Sequence, residues 1–265
     1  MRWLWSRRRL SERSRGRGIH GSGCAEPHYQ QARARCATTG TAAVADLLET
    51  ELRASTAVIC KPWGVINTLL NRDSRLLQTF HQEVESEGRT PEANDFDRER
   101  AGIDATFFPH YHQHVRFAAL SIDGRGSLAY GGGCLVLKEL SIAERSTVFI
   151  ENTITYARRT SLPAGSPPPP GLTATWANRV KLGIAKLADH LRTGMKKEDL
   201  APIVLTQTGK TNGDDFLEVH IYGPIHRSAV SLLAGKRPQN PADCAMVVQM
   251  EADLAKIGVQ VEVKA

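Results

Sequence analysis

Between Asp215 and Pro224 the chain alternates without a break. Leu217, Val219 and Ile221 fall on one side, and Phe216, Glu218, His220 and Tyr222 fall on the other. Successive strand side chains point to opposite faces, so this stretch predicts a β-strand with one buried face, ended by Gly223-Pro224. The same alternation predicts strands over 113–122, with Val115, Phe117, Ala119 and Ser121 against His114, Arg116, Ala118, Leu120 and Ile122, and over 259–263. Apolar or β-rich runs at 134–138, 146–155 and 202–206 read as further strands. A helical period places Val44, Leu47, Leu48 and Leu52 on one side of 41–54. It continues through 62–87, with a break near Asn71-Arg72-Asp73, and returns over 176–191 and 241–257. Thr90-Pro91-Glu92 reads as the start of a short charged helix ending near Gly102, and 227–233 as a short helix. Four consecutive prolines make 163–171 a loop.

These elements predict a mixed α/β (α+β) fold in three parts. Residues 1–40 form a basic, unstructured tail, residues 41–104 a helical N-terminal part, and residues 105–265 a mixed α/β domain of catalytic type. The chain has 265 residues, 41% of them hydrophobic, enough for a substantial core. Its net charge of +6 is unevenly spread. Residues 1–36 carry nine arginines against Glu12 and Glu26, a local +7, which leaves −1 for the rest. The body therefore has no basic surface of the kind nucleic-acid binders use, while the tail is suited to an acidic partner. Cys24, Cys36, Cys60, Cys134 and Cys244 form an odd set without a C-x-x-C pair, which predicts reduced thiols serving as core filler. No apolar run reaches the roughly 20 residues of a membrane span. The expectation is a soluble protein, cytoplasmic or released as an effector.

Several motifs fail. Gly16 to Gly21 and Gly124 to Ala129 spell the dinucleotide fingerprint, but the first follows no strand and the second opens no helix. Gly209-Lys210-Thr211 ends like a phosphate loop whose first glycine is Val204. His110, His112 and His114 would share one face of a strand, as metal ligands can, yet no Asp, Glu or Cys flanks them at ligand spacing. On the glutamate strand, next neighbours on one face lie roughly 7 Å apart, so Glu218 and His220 can meet one bound molecule. A solvated face with a cross-strand ion pair is the alternative.

Arg116 on one strand, Arg145-Ser146-Thr147-Val148-Phe149 at the start of another, and Glu218 on a late strand stand in the order of a known pattern. Tyr130-Gly131-Gly132-Gly133 leads into the apolar strand between them. In this the chain resembles toxin-like ADP-ribosyltransferases over roughly residues 105–235. The resemblance implies a mixed-sheet domain that cleaves the nicotinamide–ribose bond of NAD. Glu218 would stabilise the cationic sugar, Ser146 would hydrogen-bond Glu218, and Arg116 would hold the phosphates or ribose. Tyr130, Gly131, Thr147, Phe149, His220 and Tyr222 would line the NAD site, with Tyr130 or Tyr222 stacked on nicotinamide. Many members that modify protein side chains carry Glu or Gln two residues before the catalytic Glu, where this chain has Phe216. The acceptor thus stays open among protein, nucleic acid, small molecule and water. Two other readings stand beside this one. They are an inactive binding or effector module of the same fold and a metal-dependent hydrolase built on the 110–114 histidines. Arg116 also reads as a surface strand residue, and Ser146-Thr147 as plain β-formers.

Overall fold

A computed structural model describes residues 25–70, 76–86, 95–163, 165–166, 168–210 and 213–264. It begins with helices α1 (Ala25–Thr38) and α2 (Ala42–Arg53). On α2 the expected stripe is buried through Val44, Leu48 and Leu52. The expectation of an unstructured segment to residue 40 is corrected by α1. That helix packs on α8 (Arg179–Leu187) and buries Ala25, Ala32 and Cys36. Its inward face consists of small side chains, so no Leu or Ile period betrays it. Residues 1–24, with the first fingerprint and seven of the tail's arginines, lie outside the described residues.

The sheet combines β1 (Thr56–Lys61), β2 (Val115–Ser121), β3 (Gly133–Leu137), β4 (Ser146–Phe149), β5 (Thr173–Thr175), β8 (Glu218–Tyr222), β9 (Val230–Lys236) and β10 (Gln260–Lys264). Their order is β10-β9-β3-β1-β2-β8-β4-β5. Only β9 and β10 run parallel; all other neighbours are antiparallel. Helix α10 (Pro241–Lys256) makes the crossover that a parallel pair requires. A separate two-stranded piece joins β6 (Leu205–Thr206) to β7 (Asp215–Phe216), so the alternating stretch is divided at Leu217.

The fold is thus mixed α/β, with helices packed on a large sheet. Several local expectations change. The part expected to be helical contributes β1, a central strand, because Thr56-Ala57-Val58-Ile59-Cys60 is a short apolar run buried from both sides. The helix expected to end near Gly102 is α5 (Asp95–Phe107) and continues through it; its expected start lies outside the described residues. The β-rich piece 146–155 stops at Phe149, since Asn152 caps helix α7 (Thr153–Thr160), accepting from the amides of Ile154 and Thr155. Residues 201–204 form a helical turn (α9), and 227–233 is a 3-10 turn followed by β9. Short helices α3 (Trp63–Leu70), α4 (Phe80–Glu85) and α6 (Glu139–Ile142) complete the described α-helices.

One sheet face holds the main core. Ala57, Ile59, Ala118, Leu120, Leu135, Leu137, Val148, Val219, Ile221 and Leu233 pack there with residues of α1, α2, α3 and α8. Each fully buried Leu or Ile of this face is worth about 1.5–3 kcal/mol. The other face carries smaller clusters, around Val58, Val136 and Ala234 and around Ala119, Leu205 and Phe216, with Tyr130 touching both. Cys60 and Cys134 are direct cross-strand partners on β1 and β3 and form a disulfide, correcting the expectation of reduced thiols. Cys36 and Cys244 are free. Sequence spacing could not show the pair, because it joins two strands 74 residues apart. Among the described residues no helix is long and apolar enough to cross a membrane.

One interruption shapes the site. The β1–β2 ladder covers only Thr56↔Ser121 to Val58↔Ala119, although β1 continues to Lys61 and β2 begins at Val115. Beyond Val58 the first strand stays with β3, and below Ala119 the second stays with β8. The two halves of the sheet part there.

Candidate functional site

A cavity of about 1170 Å³ occupies the gap between the parted strands. Val58, Ile59, Cys60 and Lys61 line it from β1, and Val115 to Ala119 from β2. Val65 and Leu69 of α3 close one side, and α4 with its flanks contributes Thr79, Phe80, Gln82 and Glu83. At the inner end stand Arg100 of α5, Tyr130, Phe216 and Glu218.

Glu218 is 2% exposed and fixed by three polar neighbours. Its Oε1 accepts from Asn152 Nδ2 at 3.0 Å, and its Oε2 from Thr153 N at 2.9 Å. His220 Nε2 lies 3.1 Å from Oε2. The carboxylate therefore sits at the N-terminus of α7, where free amides and the helix dipole favour negative charge. Asn152 also donates to Tyr130 Oη at 3.2 Å. Burial raises the pKa of the Tyr130 phenol, and the Glu218 charge raises it further, so Tyr130 stays protonated. The His220 ring is packed among Phe108 (4.7 Å between centroids), Phe117 (5.5 Å) and Phe149 (6.0 Å, stacked).

Arg100, also buried, comes from the middle of α5. Its Nε donates to Asp104 Oδ2 at 3.2 Å, one helical turn on, and its guanidinium lies 3.9 Å from the centre of the Phe117 ring. Asp104 Oδ2 is also 3.0 Å from His81 Nε2. Among the described residues neither Nη atom of Arg100 has a hydrogen-bond partner, while the side chain lines the cavity. Burial lowers the Arg100 pKa, but the charges of Asp104 and then Glu218 outweigh it, so the guanidinium is held charged.

The register corrects the three-part constellation. Directly opposed residues of antiparallel strands share a face. Arg116 and Ser146 both oppose Ile221, whereas Glu218 opposes Ala119 and Phe149. Arg116 and Ser146 therefore stand on the core face, across the sheet from Glu218. Ser146 Oγ donates to Ile142 O at 2.8 Å and does not meet Glu218. Arg116 spends its guanidinium on Leu77 O (2.9 Å), His114 O (3.2 Å), Gly223 O (3.0 Å) and Gln82 Oε1 (3.2 Å). Burial, with the Arg145 charge nearby, pulls its pKa down to about 10. It is neither a surface residue nor an open phosphate clamp, although it forms part of the cavity wall.

The remaining expected positions divide. Tyr130 lines the cavity, and His220 supports Glu218 from behind. Thr147 and Phe149 oppose His220 and Glu218 on the correct face but lie outside the lining. Tyr222 packs on Tyr111 at 5.7 Å and on His114 at 6.2 Å, also outside it. Gly131, at φ +146°, brings the chain against the backbone of Lys61 and Pro62, so its role is close approach. His110 sits in a turn at φ +76° and 112–114 is a 3-10 helix, so the three histidines share no strand face. Among the described residues no group of three or more His, Cys, Asp or Glu is placed to hold a metal ion.

Arg100, Asp104, Asn152 and Ala119 were missed as site residues. One signal was available: Arg100, Asp104 and Phe108 recur at i, i+4 and i+8, and all three are buried. Compared with known proteins, the chain matches no family model and no curated protein.

Proposed function

We propose that the protein binds a small organic molecule in the gap between β1 and β2, with Glu218 and Arg100 as the polar groups that meet it. One observation carries this reading. A buried carboxylate and a buried guanidinium whose Nη atoms have no hydrogen-bond partner among the described residues line one cavity, with Phe117, Ala119, Phe216 and Tyr130 among the other residues of its wall. Few, convergent polar groups in a largely apolar concavity are the usual form of a ligand site. A panel of small metabolites scored by ligand-observed NMR tests it, against wild type and Ala119→Phe. The bulky side chain would fill the inner end. Binding by wild type that Ala119→Phe abolishes is expected; no binding, or binding insensitive to that change, removes the proposal.

A second reading, cleavage of NAD in the manner of ADP-ribosyltransferases, is favoured by the fixed Glu218 carboxylate alone. Held by Asn152, Thr153 N and His220 beside a cavity of this size, it can stabilise a sugar cation without reorganising. In this reading Arg100 rather than Arg116 supplies the cation on the glutamate's side of the sheet, and Ser146 takes no part. Nicotinamide release from NAD, lost in Glu218→Gln, is the expected result. Absence of release by folded wild type leaves the binding function and removes the chemistry.

A further inference from the structure

This inference rests on the cavity being a ligand site and concerns the chemical edge it reads. Arg100 and Glu218 make opposite demands. The Nη atoms of Arg100 can only donate, and the oxygens of Glu218, when ionised, can only accept. Both line the same cavity, on the same side of the sheet, and a run of contacts connects them. The Arg100 guanidinium lies 3.9 Å from the Phe117 ring, Phe117 opposes His220 with ring centres 5.5 Å apart, and His220 Nε2 is 3.1 Å from Glu218. Glu218 Oε1 accepts one bond, from Asn152, and keeps a second lone pair.

The charges decide between ligand classes. Arg100 already feels two carboxylate charges, that of Asp104 at hydrogen-bond distance and that of Glu218 across the cavity lining they share. A phosphate on its Nη atoms would bring a third negative charge beside Asp104 and into the cavity that Glu218 lines. A cation at Glu218 would face Arg100. Lys61 does not change this balance, because it is paired with Glu83 at 2.7 Å. A neutral group presenting an acceptor beside a donor satisfies both residues and brings in no charge.

We propose that this cavity recognises a planar amide edge, a C=O beside an N–H, of the kind carried by guanine, hypoxanthine and uracil. Arg100 would donate to the carbonyl and Glu218 accept from the N–H. Phe216, Tyr130 and Ala119 supply apolar wall for the ring. A carboxylate and a guanidinium lining one cavity discriminate, since a ligand lacking either group leaves the Arg100 Nη donors or the open Glu218 lone pair without a partner.

The test varies the ligand, so it does not depend on a variant folding. Guanosine, inosine and uridine are titrated into the full chain by calorimetry. They are compared with 1-methylguanosine, 1-methylinosine and 3-methyluridine, in which a methyl group replaces the edge proton. The expected result is saturable binding of the parent nucleosides, weakened at least about tenfold by N-methylation. Arg100→Lys, which keeps the charge but not the fork, is expected to weaken the parents and narrow that ratio. Equal binding of methylated and parent nucleosides, or binding confined to their phosphates, overturns the proposal. If Ala119→Phe blocks other organic probes while no lactam binds, the amide edge falls and the ligand site stands. If Ala119→Phe blocks no probe of any class, both fall together.

Discussion

Two buried arginines line the same cavity and differ in what their guanidinium groups touch. Arg116, on the core face of β2, gives four hydrogen bonds, three of them to backbone carbonyls of separate segments. It works as a staple that holds residues 77–82 and the Gly223 turn against the end of β2. Among the described residues Arg100, on the glutamate's side of the sheet, gives one hydrogen bond, to a side chain of its own helix, and lines the cavity with its Nη atoms unpaired. The contrast shows that burial and cavity lining alone do not mark a recognition residue. The unspent donors do.

That contrast can be broken by measurement. The largest effect is expected for Arg116→Met. It leaves the buried Leu77 carbonyl without this donor and loosens the less buried carbonyls of Gly223 and His114, of which His114 O keeps the Gly223 amide, and urea unfolding should show a loss of about 2–4 kcal/mol. Glu218→Gln comes next. Either orientation of the amide sets an N–H against Asn152 Nδ2 or against Thr153 N, because Asn152 Oδ1 is already taken by Ile154 N and Thr155 N. A stability loss of about 1–3 kcal/mol is expected, together with loss of ligand binding. Arg100→Lys keeps the pairing with Asp104 but gives up the planar stack on Phe117. About 1–2 kcal/mol of stability is expected to go, and in contrast to Arg116→Met the main readout is weakened binding. Ser146→Ala is the smallest, about 1 kcal/mol from the lost bond to Ile142 O, with binding and any NAD cleavage unchanged. A binding defect in Ser146→Ala at wild-type stability would return Ser146 to the site.

The expectations that held were those written into a single segment. Alternation placed Glu218 and His220 opposite Val219 and Ile221, and the periods over 41–54 and 241–257 mark real helices. What failed depended on how segments meet. Alternation says that Arg116 and Phe117 take opposite faces, but not which of them shares a face with Glu218. That is fixed when Phe117 settles against His220. Arg100 fell within a helix read only as short and charged, Asp104 lay past its expected end, and only the packing of α5 over Phe117 buries both. Asn152 was absorbed into an apparent strand, because Ile154 and the threonines around it are β-formers. The capping geometry that makes it the partner of Glu218 exists only once α7 turns away from β4.

The parting of β1 from β2 has a consequence for how this site can be mapped. Beyond the pair Val58↔Ala119, the facing edges of the two strands keep main-chain amides and carbonyls aimed across open space. A molecule lodged there can be gripped by peptide groups, which no side-chain replacement removes, so an alanine survey would undercount its contacts. Deuterium uptake at 59–61 and 115–118 would register such a grip directly, as slowing on the amides that look across the gap and on none that look back toward β3 or β8.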